Sequence, residues 1–215
     1  MKPNIQLLNA DCMEYMADLP DKAFDLAIVD PPYGIGVNAN MGRRAGQENS
    51  NPAAEWDKLP PPAEYFTELV RVSQMQVIWG ANHFIENMPW NARCWLLWDK
   101  KFSDELSFSQ FEMAWTSFSG MSKKYDAAPS AGYAGGAHKK IHPTQKPVSL
   151  YRWILENYAK PGQRILDTHL GSGSSAIAAH YFGCDFVGTE LDPDYYAAAV
   201  KRFEAETAQI AMELS

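Results

Sequence analysis

Four residues suited to chemistry follow the apolar run Leu26-Ala-Ile-Val29, namely Asp30, Pro31, Pro32 and Tyr33. Each proline drives the residue before it into an extended conformation, and neither proline has an N–H to compete for acceptors. The Asp30 carboxylate and the Pro31 carbonyl are thereby offered side by side, a pair that suits an exocyclic amine with its two N–H donors. Tyr33 adds an aromatic face on which a planar base can stack. The same residues also read as plain punctuation at a strand end, so alone they leave both readings open. A second stretch, Arg164 to Ala176, runs an apolar strand through Asp167, Thr168 and His169 into a glycine-rich turn and a helix. Gly171, Ser172, Gly173, Ser174 and Ala176 satisfy the GxGxxA pattern, and Glu190 ends the next apolar run. Backbone N–H groups in such a turn approach a ligand closely, and the acidic residue can take ribose hydroxyls. A purely structural loop would look the same at the level of the glycines. No lysine follows them, so this is not a P-loop.

The elements that must carry these residues are legible in the apolar periodicity. Strands are expected at 5–9, 25–30, 76–80, 93–99, 111–118, 164–168 and 185–190, and helices at about 11–18, 61–74, 146–159, 174–182 and 193–209. Alternating strands and helices predict an α/β domain with a mostly parallel, twisted sheet covered by helices on both faces. Asp30 and Glu190 then fall at strand carboxyl ends, where open α/β sheets bind ligands. Residues 34–60 and 119–141 have little periodicity and read as long loops within a single domain spanning 1–215, the first carrying Arg43 and Arg44. Trp79, Trp95, Trp98 and Trp115 are expected in the core. Asn82-His83, after Gly80, would line the cleft or cap a helix.

Composition narrows the classes. Seven Trp, ten Tyr and ten Phe in 215 residues exclude a disordered chain. The apolar runs are too short to span a membrane, and the opening MKPNIQLLNAD lacks a signal peptide's apolar core, so a cytoplasmic protein is expected. Cys12, Cys94 and Cys184 are scattered without metal or redox spacing and are expected to pack. His138 and His142 lack partners at ligand spacing, so no metal site is predicted. The net charge of −7 conceals an uneven distribution. Residues 121–146 hold Lys123, Lys124, Lys139, Lys140 and Lys146 against Asp126, a local +4 beside −11 elsewhere. A phosphate-contacting loop is one reading of that segment and solvated surface lysines are the other. Arg43 and Arg44 are weaker candidates for phosphate contact.

Taken together, Asp30-Pro-Pro-Tyr33 and the glycine turn resemble the S-adenosylmethionine-dependent amino-methyltransferases acting on DNA. Three further motifs extend the resemblance over most of the chain. His142-Pro-Thr144-Gln-Lys146-Pro147 is similar to the family's segment at the cofactor's methionine end, Asn9-Ala-Asp11-Cys12 to its adenine-contacting turn, and Gly188-Thr-Glu190-Leu191-Asp192 with Tyr195 or Tyr196 to its ribose-binding strand end. Their order matches the permuted beta class, in which the catalytic half precedes the cofactor half. The resemblance implies a Rossmann-like methyltransferase fold with permuted motif order, and S-adenosylmethionine as cofactor. Asp11, Cys12, Asp30, His142, Thr144, Lys146, Asp167, His169, Gly171, Ser172, Gly173, Ser174, Glu190 and Leu191 would then be around that cofactor. It further implies a double-stranded DNA substrate whose target base is flipped out, a restriction-modification setting, and a homodimer. The Asp form of the first motif favours the adenine N6 amine, since relatives acting on cytosine N4 more often have Ser there. The family's aromatic residue in the glycine turn is His169 here, and its large target-recognition insert has no counterpart. Cytosine N4 methylation, RNA or protein-glutamine methylation, a catalytically silent DNA-binding relative, and a nicotinamide dehydrogenase are the alternatives; the last leaves the Asp30 and His142 motifs unexplained.

Overall fold

The computed structural model describes residues 2–35, 59–102, 109–129, 141 and 145–213. Arg43, Arg44, His138, Lys139, Lys140, His142 and Thr144 lie outside these residues, as does most of the 34–60 loop.

Eight strands of the described residues form one sheet: β1 (Ile5–Asn9), β2 (Phe24–Val29), β3 (Ser73–Trp79), β4 (Trp95–Asp99), β5 (Phe111–Thr116), β6 (Lys123–Asp126), β7 (Arg164–Asp167) and β8 (Asp185–Glu190). Their spatial order is β1-β8-β7-β2-β3-β5-β4-β6. Neighbours pair in parallel except that β5 runs antiparallel to both β3 and β4. From the adjacent centre strands β2 and β7 the chain moves outward in opposite directions, to β3 and to β8, which makes the gap between them a topological switch point.

Among the described residues five α-helices cover the sheet: α1 (Cys12–Ala17), α2 (Ala63–Val72), α3 (Val148–Tyr158), α4 (Ser174–Phe182) and α5 (Pro193–Glu213). The strand alternation sorts them by face. Leu26 and Ile28 of β2 look one way, onto Leu150, Tyr151, Ile154 and Leu155 of α3 and the alanines of α4. Ala27 and Val29 look the other way, onto Met16 of α1 and Tyr65, Phe66, Leu69 and Val72 of α2. The buried positions of α2 recur on one side of a 3.6-residue helix, which is why ten residues starting after a proline run hold as a helix without a side-chain cap. Trp79, Trp98 and Trp115 are fully buried as expected, with Trp95 packed at the margin.

One expectation changes. Residues 123–126, read as part of a loop, form the edge strand β6, paired with β4 from Leu96↔Lys123 to Asp99↔Asp126. The short polar run KKYD has no apolar alternation, so only its pairing with β4 makes it a strand. With that, Lys123 and Lys124 are not on a free phosphate-contacting loop. Lys124 Nζ sits 2.9 Å from Asp126 and 3.3 Å from Asp99, and Lys123 Nζ donates to Asn157 Oδ1 at 2.7 Å and lies over the Tyr158 ring. Within the mostly parallel sheet, β5 is the strand that runs the other way. Being antiparallel, it brings its first residues, Phe111 and Glu112, to the edge of the sheet where every parallel strand ends.

Candidate active site

A cavity of about 400 Å³ opens at the carboxyl edge over the β2/β7 gap, within the size range of small-molecule sites. It is lined on one side by Asp30, Pro31, Pro32, Tyr33, Glu112, Gln145, Lys146 and Tyr151, and on the other by Ala10–Cys12, Thr168–Ser172, Glu190–Asp192 and Tyr195.

On the first side, side-chain charges interlock. Lys146 Nζ lies 2.5 Å from Asp30 Oδ2 and 2.9 Å from Glu112 Oε2, and its side chain is only 2% exposed. Lys100 Nζ holds the other Glu112 oxygen at 2.6 Å. The Tyr33 hydroxyl donates to Asp30 Oδ1 at 2.7 Å, stands 3.2 Å from Glu112 Oε2, and accepts from Lys146 Nζ at 3.1 Å. Two carboxylates and two ammoniums thus balance in charge. Burial raises the Asp30 carboxyl, and Glu112 raises it further, against the pull of Lys146. Burial acts on Glu112 in the same direction, but Lys146 and Lys100 overcome it and hold that carboxyl at about 2. Burial works against the Lys146 ammonium, yet Asp30 and Glu112 keep its pKa raised.

Tyr33 is seated by Gly80. That residue ends β3 at φ +72°, and a Cβ there would fall about 2.0 Å from the Tyr33 ring. Any side chain would both strain the backbone and evict the ring. His83, in a 3₁₀ turn just after Gly80, stacks on Tyr33 with centroids 5.1 Å apart and 15° between planes. It lies beside the cleft rather than capping a longer helix.

On the second side, carboxylates are held by nearby backbone. Glu190 Oε2 accepts from Gly171 N–H at 2.8 Å and Oε1 from Asp192 N–H at 3.1 Å. Asp11 caps α1, accepting from Met13 and Glu14 N–H groups. Asp167 is buried below the turn, taking the Ser175 hydroxyl at 2.6 Å and the His169 N–H at 3.0 Å. Burial pushes its carboxyl up to about 7 despite these two donors. His169 packs its ring edge-on against Tyr65, 5.4 Å away, and burial lowers it to about 4, so it is neutral at pH 7. Burial, then Asp11, pushes the Cys12 thiol up to about 12, which leaves it protonated and a poor nucleophile.

Of the expected site residues, Asp11, Cys12, Asp30–Tyr33, Lys146, His169, Gly171, Ser172, Glu190 and Leu191 meet at this cavity. Asp167, Gly173 and Ser174 do not line it; they shape the turn from behind, where Arg202 of α5 donates to the Ser172 carbonyl and the Ser174 hydroxyl. Lys146 lines the cavity with its ammonium on Asp30. Sequence reasoning missed Glu112 and Lys100. Glu112 sits alone at the start of an apolar strand, and a charge at a strand end is ordinary unless the strand's direction is known. Tyr195, one of two tyrosines offered by the spacing, lines the cavity, whereas the Tyr196 hydroxyl donates to the Leu7 carbonyl.

A switch-point cavity with a glycine turn, an acidic strand end and Asp-Pro-Pro-Tyr on its rim defines a class of Rossmann-like enzyme. Residues 78–201, more than half of the chain, match the N6/N4 methyltransferase family model described as DNA methylase, and the chain belongs to that family. It is 27% identical to YubD of Escherichia coli (strain K12), which bears a methylase name, over 93% of this chain and 90% of that protein. It is 26% identical to the type II methyltransferase M.HinfI of Haemophilus influenzae, over 94% of this chain and 70% of that one. Among solved structures, the PvuII DNA methyltransferase, cytosine-N4-specific, superposes with a TM-score of 0.63 at 12% identity, covering 94% of this chain and 87% of its own. The M1.HpyAVI–SAM complex gives 0.58 at 19% identity, covering 92% and 99%. These similarities establish the Rossmann-like fold. Among the described residues no helix is long and apolar enough to cross a membrane.

Proposed function

We propose that this chain is an S-adenosylmethionine-dependent methyltransferase acting on the N6 amine of an adenine flipped out of double-stranded DNA. The observation that carries the reading is that the amine-acceptor pair, Asp30 and Pro31, and the glycine-turn and Glu190 residues line one cavity. The donor set fits the cofactor. Glu190 and Asp192 offer acceptors for hydroxyls, and Cys12, Leu191 and Tyr195 offer apolar and aromatic walls for a planar base. Asp11, Gly171, Ser172, Lys146 and His169 would complete that set, with Asp167, Gly173 and Ser174 holding the turn; His142 and Thr144 are assigned on the family resemblance alone. Bound there, S-adenosylmethionine supplies a methyl group on a sulfonium, already a strong electrophile.

What the chain supplies is positioning and charge. An aromatic amine is a poor nucleophile because its lone pair is delocalised into the ring. Accepting its two hydrogens on Asp30 and the Pro31 carbonyl localises that pair towards the methyl. Asp30, whose carboxyl is raised by burial, takes the surplus proton. Tyr33, backed by His83, steadies the base. No enzyme nucleophile is needed, in keeping with the protonated Cys12. The Asp of the first motif supports adenine over cytosine. Lys139, Lys140, Arg43 and Arg44 remain the proposed phosphate contacts, and a homodimer and a restriction-modification setting follow from the resemblance only.

The test is transfer of labelled methyl from S-adenosylmethionine to unmethylated genomic DNA, with nucleoside digestion. N6-methyladenine is the expected product; N4-methylcytosine would replace the adenine assignment. Asp30→Ala is expected to lower the rate at least about a hundredfold while cofactor binding, measured by calorimetry, persists. Unchanged incorporation in that variant removes Asp30 from the chemistry.

A further inference from the structure

Both Asp30 oxygens already have donors in this structure, Tyr33 on Oδ1 and Lys146 on Oδ2. An incoming amine must share or displace them. The Tyr33 hydroxyl has one proton to give, and it stands within reach of two acceptors, Asp30 at 2.7 Å and Glu112 at 3.2 Å. Lys146 likewise touches both carboxylates. A buried ammonium cannot simply let go of a carboxylate, because an unpaired buried charge is strongly unfavourable. It can move only towards another acceptor already in place.

Building on the reading of Asp30 as the amine acceptor, we propose that Glu112, anchored by Lys100, is a positioning residue of the transfer reaction: it takes over the Lys146 ammonium and the Tyr33 hydroxyl when the substrate amine arrives at Asp30. Glu112 Oε2 is the oxygen both donors already face, and Lys100 fixes the opposite oxygen so that Oε2 stays turned inwards. The exchange needs no new partner: the ammonium keeps a carboxylate, and Asp30 takes the amine's N–H donors in its place. It has an electrostatic consequence as well. The amine gains positive charge as it attacks, and once the ammonium has moved to Glu112 the Asp30 carboxylate is free to face that charge. Lys146 and Lys100 hold the Glu112 carboxyl low against its burial, which keeps it ionised for this role.

The prediction concerns rate rather than affinity. Glu112→Gln keeps shape and removes the charge, so Lys146 stays on Asp30. The single-turnover methyl-transfer rate at saturating S-adenosylmethionine is expected to fall at least about tenfold, while the calorimetric Kd for S-adenosylmethionine stays within about twofold. Glu112→Asp, which restores the carboxylate on a shorter arm, is expected to recover part of the loss. A Glu112→Gln rate within about twofold of the parent overturns the proposal. So does a Glu112→Asp variant no faster than Glu112→Gln, since that outcome separates the rate from the carboxylate, whereas full recovery in Glu112→Asp supports the proposal. Should Glu112→Gln lose cofactor binding and thermal cooperativity, Glu112→Asp decides alone: slower than the parent with binding retained supports the exchange, and loss of binding there too makes Glu112 a folding residue. Parent protein that binds S-adenosylmethionine but methylates no DNA defeats the proposed function itself, an outcome distinct from an active parent indifferent to Glu112.

Discussion

The two sides of the cavity are built differently. On the glycine-turn side each carboxylate is fixed by backbone or a hydroxyl a few residues away or on the adjoining turn: Glu190 by Gly171 and Asp192, Asp11 by Met13 and Glu14, Asp167 by His169 and Ser175. On the amine side Asp30 and Tyr33 of one motif meet Lys100, Glu112 and Lys146 from distant parts of the chain, and all hold one another through side chains. Backbone-held groups are pre-organised and cannot trade partners. Side-chain charges with two acceptors per donor can. The difference matches the work assigned to each side: one grips a cofactor of fixed shape, the other must release its donors to admit a substrate amine.

That contrast is open to breakage, most severely at Lys146. Lys146→Met leaves two buried carboxylates without their shared cation and is expected to cost about 3–5 kcal/mol, read as a lowered midpoint in urea or heat denaturation. A small loss would mean that the amine-side network is not interdependent. The backbone-held side should fail more gently. Glu190→Ala removes an acceptor but leaves the fold intact, so the Kd for S-adenosylmethionine is expected to rise roughly ten- to a hundredfold by calorimetry, with the rate at saturation much less affected.

A smaller effect tests whether Asp167 belongs with the rigid side. Its folded carboxyl, raised to about 7, binds a proton that the unfolded chain's Asp, at about 3.9, has already released. Between those values the folded state holds more protons, so this group makes stability fall as pH rises from about 4 to about 7. Asp167→Asn can keep both hydrogen bonds and has no charge to bury. It is expected to gain on the parent with rising pH, by on the order of 1–3 kcal/mol at pH 8 relative to pH 4; parallel stability curves would count against it. The smallest effect belongs at the sheet edge. Lys124→Ala, an exposed ion pair on β6, is expected to move Tm by no more than about 2 °C and to leave the salt dependence of DNA binding unchanged. A shallower slope would return Lys124 to the phosphate contacts.

The same division explains what could be read in advance. Seven strands and five helices were legible because their apolar periods are strong, and the Asp30, Gly171 and Glu190 residues because each sits at a strand end with its motif around it. The edge strand β6 was not, since four polar residues carry no period and become a strand only against β4. Gly80 stood in plain view after Trp79, but the need for its missing Cβ arises from the Tyr33 ring, 47 positions away.

Sequence by itself determined the family, the carboxyl-edge placement of Asp30 and Glu190, and the glycine turn, because those depend on contacts within short stretches of chain. Only the tertiary structure decided the charge network. Charge counting put Lys146 in a basic segment suited to phosphates, whereas the fold buries it against Asp30 and Glu112. Glu112 gets there because β5 runs against its neighbours, and strand direction is set by pairing between distant segments rather than by any local preference of the residues within it.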